Sequence, residues 1–134
     1  MVKELHILFD YTVATDKSID QSIQSLEVSL KEEKFGILWM FDIKEKLQEK
    51  GLDFQKDFKV LEVCNPFEAE RVLTKNTMAG YFLPCKIVIY DDEGQTKIGM
   101  PKPTALISML QNEELKELAK DIEVRLINCI NKSI

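Results

Sequence analysis

The stretch "PCKIVIYDDEGQTKIGM", residues 84–100, constrains the fold more than any other part of the 134-residue chain. Two strand-forming runs, 84–90 and 96–100, flank an Asp-Asp-Glu-Gly turn, which is the signature of a hairpin. A hairpin mixed with helical crossovers favours an α+β fold with a mainly antiparallel sheet covered on one face. The remaining segments supply those crossovers.

Residues 5–14 alternate Leu5, Ile7, Phe9, Tyr11 and Val13 against His6, Leu8, Asp10 and Thr12, a period of two that predicts a first strand with one buried face. In the following helix Ser18 is the N-cap and Gln21 closes a capping box, with Ile19, Ile23, Leu26 and Leu30 on one stripe and Gly36 marking the end. "FGILWMFDI" (35–43) is apolar on both faces and reads as a central strand. Asp42 caps a short helix, "IKEKLQEK", that Gly51 ends in a left-handed residue. Residues 58–63 form a third strand.

Asn65 then caps a helix with Pro66 at its first position and Glu68 closing the box. Ala69, Val72 and Leu73 point inward, and Asn76 ends it. After Pro101 and Pro103, "TALISML" predicts a short helix. The last helix starts after Asn112, with Leu115, Leu118, Ala119, Ile122, Leu126, Cys129 and Ile130 opposite Lys116, Glu117, Lys120, Asp121 and Arg125. No linker or repeat divides the chain, so residues 1–134 are expected to be one domain.

A net charge of −5, with both signs interspersed, argues against a nucleic-acid footprint and a polybasic membrane patch. No run approaches the roughly 18 apolar residues of a membrane span, and the N-terminus reads as a strand instead of a signal peptide. Three cysteines, an odd count, point to a reducing, cytoplasmic setting with free thiols.

Familiar catalytic signatures are mostly absent. With His6 the sole histidine, a histidine-rich zinc site or a Ser–His relay has no basis, and no Gly-rich phosphate loop is present. Cys64 and Cys85 do not form a CxxC pair. Cys64 precedes a helix N-terminus, where the dipole favours a thiolate; the same position suits an apolar staple onto Ala69. Cys85 follows Pro84 and shares a strand face with Ile87 and Ile89, and Cys129 belongs to the core stripe. Glu62 is expected exposed on an uncovered sheet face. Phe35, Trp39, Phe41, Phe54, Phe58 and Phe67 are expected in the core, since no basic residues interleave with them.

"EKFGILWMFDIKEKLQEKG", "KVLEVCNPFEAERVL" and "AGYFLPCKIVIYDDEG" together resemble the domain-of-unknown-function 302 family (DUF302). The matching positions are Phe35–Gly36, Asp42, Lys44, Cys64–Asn65–Pro66, Ala69, Gly80, Leu83–Pro84–Cys85 and the Gly94 turn, over residues 5–100. The resemblance implies a curved, mainly antiparallel sheet with helices on one face in a β-α-β-β-α-β-β-α-like order, and a homodimer. It also implies that the two cysteine motifs meet in space.

The expected function is a cytoplasmic small-ligand-binding or protein-interaction module with a pocket built from Cys64, Asn65, Pro66, Pro84, Cys85, Asp42 and Lys44, and without a cofactor. One alternative is a thiol-dependent redox or sulfur-handling enzyme using Cys64 with Cys85. Another is a soft-metal or haem-type ligand made from the two thiols.

Overall fold

The hairpin lies inside one five-stranded antiparallel sheet of order β1-β5-β4-β3-β2. Its strands are β1 Asp10–Thr15, β2 Gly36–Asp42, β3 Phe58–Cys64, β4 Cys85–Asp92 and β5 Gln95–Pro101. The computed structural model describes residues 9–134. The start of the first predicted strand, with Leu5, His6, Ile7 and Leu8, lies outside the described residues. Phe9 is 58% exposed and stands before β1, so it is not part of the buried strand face expected for it.

The helices are α1 Ile19–Glu32, α2 Ile43–Glu49, α3 Pro66–Lys75, α4 Pro103–Ile107 and α5 Glu113–Asn131, with 3₁₀ turns at Thr77–Phe82 and Ser108–Leu110. The order implied by the resemblance lacks a helix between β2 and β3. The capping signals of Asp42 and Gly51 place α2 there: Glu45 N–H donates to Asp42 Oδ1 at 3.0 Å, and Gly51 has φ of 81°.

The capping box of α1 forms in both directions, Gln21 N–H to Ser18 Oγ at 3.1 Å and Ser18 N–H to Gln21 Oε1 at 3.0 Å. Its end differs from the expectation. Lys34 takes the left-handed conformation (φ 65°), and Gly36 is already the first residue of β2. Between β4 and β5 the turn is two residues, Glu93 and Gly94, both at positive φ (51° and 91°), whose twist matches that of the strands.

One face of the sheet is buried. Leu61, Val63, Ile87, Ile89 and Ile98 are fully covered by α1 (Leu26, Leu30), by Val72 of α3, and by Leu115, Leu126, Cys129 and Ile130 of α5. The opposite face carries Phe41, Phe58, Val60, Val88 and Tyr90, none of which joins this core. Trp39 stacks on Phe41 there, with centroids 5.4 Å apart, and Phe58 stacks on Tyr90 at 5.1 Å.

Three expectations about burial are corrected. Residues 36–42 are an edge strand, because only β3 pairs with them. Their two apolar faces leave Leu38, Trp39 and Met40 at 64%, 56% and 45% exposure, with Leu38 in a bulge. Of the expected aromatic core, Phe35 is buried, Phe41, Phe54 and Phe58 are half-buried, and Trp39 and Phe67 are exposed. Leu73 lies over the 3₁₀ turn, 3.0 Å from where a Cβ of Gly80 would stand, and is exposed to solvent instead of inward.

Arg125, expected on the polar face of α5, is half-buried and ties three elements together. Its Nη1 donates to Glu68 Oε2 at 2.6 Å, its Nε to Glu33 Oε1 at 3.0 Å and its Nη2 to the Glu33 carbonyl at 2.9 Å, with the guanidinium over the Phe35 ring. Glu68 is buried and accepts from Arg71 and Arg125 in place of closing a box with Asn65. A carboxylate so enclosed needs both cations. Arg125→Met should therefore destabilise the fold by about 2–4 kcal/mol in urea unfolding, and Arg125→Met with Glu68→Gln should recover part of that loss.

Candidate functional site

The ladder between β3 and β4 sets the relation of the two cysteine motifs. Val63 pairs with Cys85 and Glu62 with Lys86. Side chains alternate along a strand, so Cys85 shares the core face with Val63 and Ile87, while Cys64, paired with Gly36, takes the other face. The two thiols are neighbours at one strand end but are aimed to opposite sides. Both are free and half-buried.

Their electrostatics run against the helix-dipole expectation. Burial pushes the Cys64 thiol above its ordinary value. Burial, with a smaller contribution from Cys64, pushes Cys85 up to about 11. The donors that would steady a thiolate are already taken, since Asn65 Oδ1 accepts from Phe67 N–H at 3.0 Å and Glu68 N–H at 3.3 Å. The Asn65 amide also donates to the Glu33 carbonyl at 3.2 Å, which fixes the cap against the end of α1.

Asp42 and Lys44 stand elsewhere. Asp42 caps α2 six residues along β2 from Gly36, the partner of Cys64, a separation of roughly 20 Å at strand rise. Lys44 pairs with Asp57 at 2.7 Å, and the hydrogen bond to that carboxylate raises its pKa.

A concavity opens on the other side of β4. β4 begins at Cys85 and β5 ends at Pro101, yet their ladder stops at Val88–Gly99. The first residues of β4 stay with β3, through Val63–Cys85, and the last of β5 stay with β1, through Asp10–Pro101. Proline has no N–H to continue a ladder, and Pro84 and Pro101 both flank this opening.

A cavity of about 990 Å³ occupies the opening. Its apolar walls come from Val72, Ala79, Ile107, Ala119, Ile122 and Leu126 on the helical side. Val88, Gly99 and Tyr90 line it on the uncovered side, with Asp10, Glu62 and Lys86 as its charged residues. Of the residues singled out from sequence, Pro84 and Cys85 line this cavity. Cys64, Asn65, Pro66, Asp42 and Lys44 do not.

Glu62 sits on the uncovered face, as its position in β3 predicts, but is half-buried there instead of exposed. Periodicity and motifs do not single out Lys86, Tyr90 or Gly99, which also line the cavity. The signal for the last was a glycine inside a strand: Gly99 is buried, and Thr12 Oγ1 lies 2.8 Å from where its Cβ would stand. Among the described residues, no three His, Cys, Asp or Glu side chains gather as a metal site, and no helix is long and apolar enough to cross a membrane.

The model of the family described as "Domain of unknown function DUF302" matches residues 11–133, and so runs through α5. The chain is 55% identical to the protein in the "Crystal structure of uncharacterized conserved protein DUF302 from Bacillus stearothermophilus". That match covers 94% of this chain and 98% of the other, with a TM-score of 0.92. No curated protein matches the chain.

Protonated thiols react slowly with alkylating agents. Iodoacetamide labelling of Cys85 should rise about tenfold per pH unit and reach its midpoint near pH 11, read by peptide mass spectrometry. The same shift acts on stability. Folded Cys85 keeps its proton up to about 11, while the unfolded thiol titrates near 9.0, so its contribution is complete below that value and is lost as pH rises toward 11. Cys85→Ala should make the alkaline decline shallower.

Proposed function

The chain belongs to the DUF302 family, and we propose that it is a binding module without turnover, holding a small molecule in the cavity beside Pro84 and Cys85. The single observation that carries this reading is the cavity itself. At about 990 Å³ it lies at the upper end of the 300–1,000 Å³ typical of ligand sites, and its mostly apolar wall carries a few charged and hydroxyl groups. The raised thiol pKa values weigh against the alternative of a nucleophilic Cys64 resolved by Cys85. Three free cysteines fit a reducing, cytoplasmic setting.

The test is saturable binding of an apolar fluorophore, N-phenyl-1-naphthylamine, at one molecule per chain. Val88→Trp projects a bulky ring into the cavity from the uncovered face, where Val88 is only half-buried. It should weaken binding about tenfold, equivalent to about 1.4 kcal/mol, with the circular-dichroism melt preserved. Unchanged binding in that variant rejects the cavity as the site.

The reading includes a homodimer. Its support is the β2 edge, where Ile37 through Phe41 carry no charge and no proline to discourage pairing with another strand. Sedimentation velocity should show a dimer at micromolar concentration and a monomer for Trp39→Lys. A wild-type monomer at high micromolar concentration excludes this part.

A further inference from the structure

The backbone at the end of the β4–β5 ladder narrows what the cavity can hold. In an antiparallel sheet, successive residues turn their N–H and C=O groups to alternate neighbours. Asp91 N–H donates to the Asp57 carbonyl at 3.0 Å, on the β3 side, and from there the β3–β4 register runs without a bulge to Val63–Cys85. Ile89, Ile87 and Cys85 therefore turn their backbone polar groups to β3, while Val88 and Lys86 turn theirs to β5. The same alternation holds beyond the hairpin. Lys102 N–H donates to the Phe9 carbonyl on the β1 side at 2.7 Å, so Pro101 and Gly99 face β4.

Val88 and Gly99 form the last pair of that ladder. The next residues to meet would be Lys86 and Pro101, and proline has no N–H to give. The Lys86 carbonyl is thus aimed at the opening between the strands with no backbone donor opposite it. Among the described residues, no donor from a turn or loop reaches it either. Lys86 and Pro101 both line the cavity, while the Lys86 side chain stands in solvent. Water can serve this oxygen in the free protein. An occupant that displaces the water must bring an N–H or O–H of its own, because an acceptor stripped of its partner costs more than a hydrogen bond returns.

We propose that the cavity takes a neutral amphipath whose head donates a hydrogen bond to the Lys86 carbonyl, a primary carboxamide in the simplest case. Its apolar body runs past Cys85 toward Ala119 and Ile122. Cys85 and Met100, on the core side of the opening, offer a charged head no counter-ion. An ammonium head would instead choose the Glu62 carboxylate, one strand further, and the test separates the two. This inference rests on the cavity reading above and adds the chemical class of the ligand.

The test uses three probes with one eight-carbon body: octanamide, N,N-dimethyloctanamide and octylamine. The two amides share a carbonyl, and only the first has N–H groups. Displacement of N-phenyl-1-naphthylamine from the full chain should show octanamide binding about tenfold tighter than either of the others. Pro101→Ala places an N–H opposite the Lys86 carbonyl, and the two amides should then bind equally. Should that variant fail to fold, the two amides on the unaltered chain still decide. Equal affinity for both amides on the unaltered chain overturns the donor-head inference and leaves the cavity reading standing. A preference for octylamine overturns it in favour of Glu62. An unchanged octanamide advantage in a folded Pro101→Ala removes the Lys86 carbonyl as the acceptor. Failure of the fluorophore itself to bind overturns the cavity reading.

Discussion

The guanidinium of Arg125 is the point on which the helical layer depends. It joins α5 to the first turn of α3 through Glu68 and to the end of α1 through Glu33. Glu68 is nearly excluded from solvent, so its charge is tolerable only while the arginines hold it. Asn65 completes the junction by capping α3 and donating to the Glu33 carbonyl. With α3 and α5 fixed in this way, Val72 and Ala119 are held opposite the place where β4 and β5 separate.

That separation links fold to site. Each strand of the hairpin keeps its outer neighbour and loses its inner one at the same end, where the two prolines leave gaps in the supply of donors. Gly99 extends the effect. A side chain there would collide with Thr12, so the sheet floor stays low beside Val88. The cavity is thus a product of strand chemistry as much as of helix placement.

The cysteines illustrate a competition of magnitudes. A helix N-terminus stabilises a charge by about 0.3–1 kcal/mol at the surface, whereas burial can shift a pKa by several units, at about 1.4 kcal/mol each. Burial wins at both Cys64 and Cys85. The Cys-Asn-Pro motif is then accounted for by the cap and the helix start, and Cys85 by its place in an apolar strand face at the cavity wall.

Local signals in the chain determined most of the fold. The capping box of Ser18, the caps of Asp42, Asn65 and Asn112, the left-handed Gly51, the hairpin and the stripe of α5 all depend on residues within a few positions of one another. Strand order was not legible in the same way. An apolar strand such as "GILWMF" looks central until pairing places it at the edge, because periodicity reports how apolar a face is and not what covers it. The same holds for Glu68 and Arg125, whose partners are distant in sequence, and for Asp10, Lys86 and Glu62, which line one cavity. Only the tertiary structure brought those three residues, from β1, β4 and β3, to one cavity, since a strand's sequence fixes which way a side chain points but not which neighbour it meets.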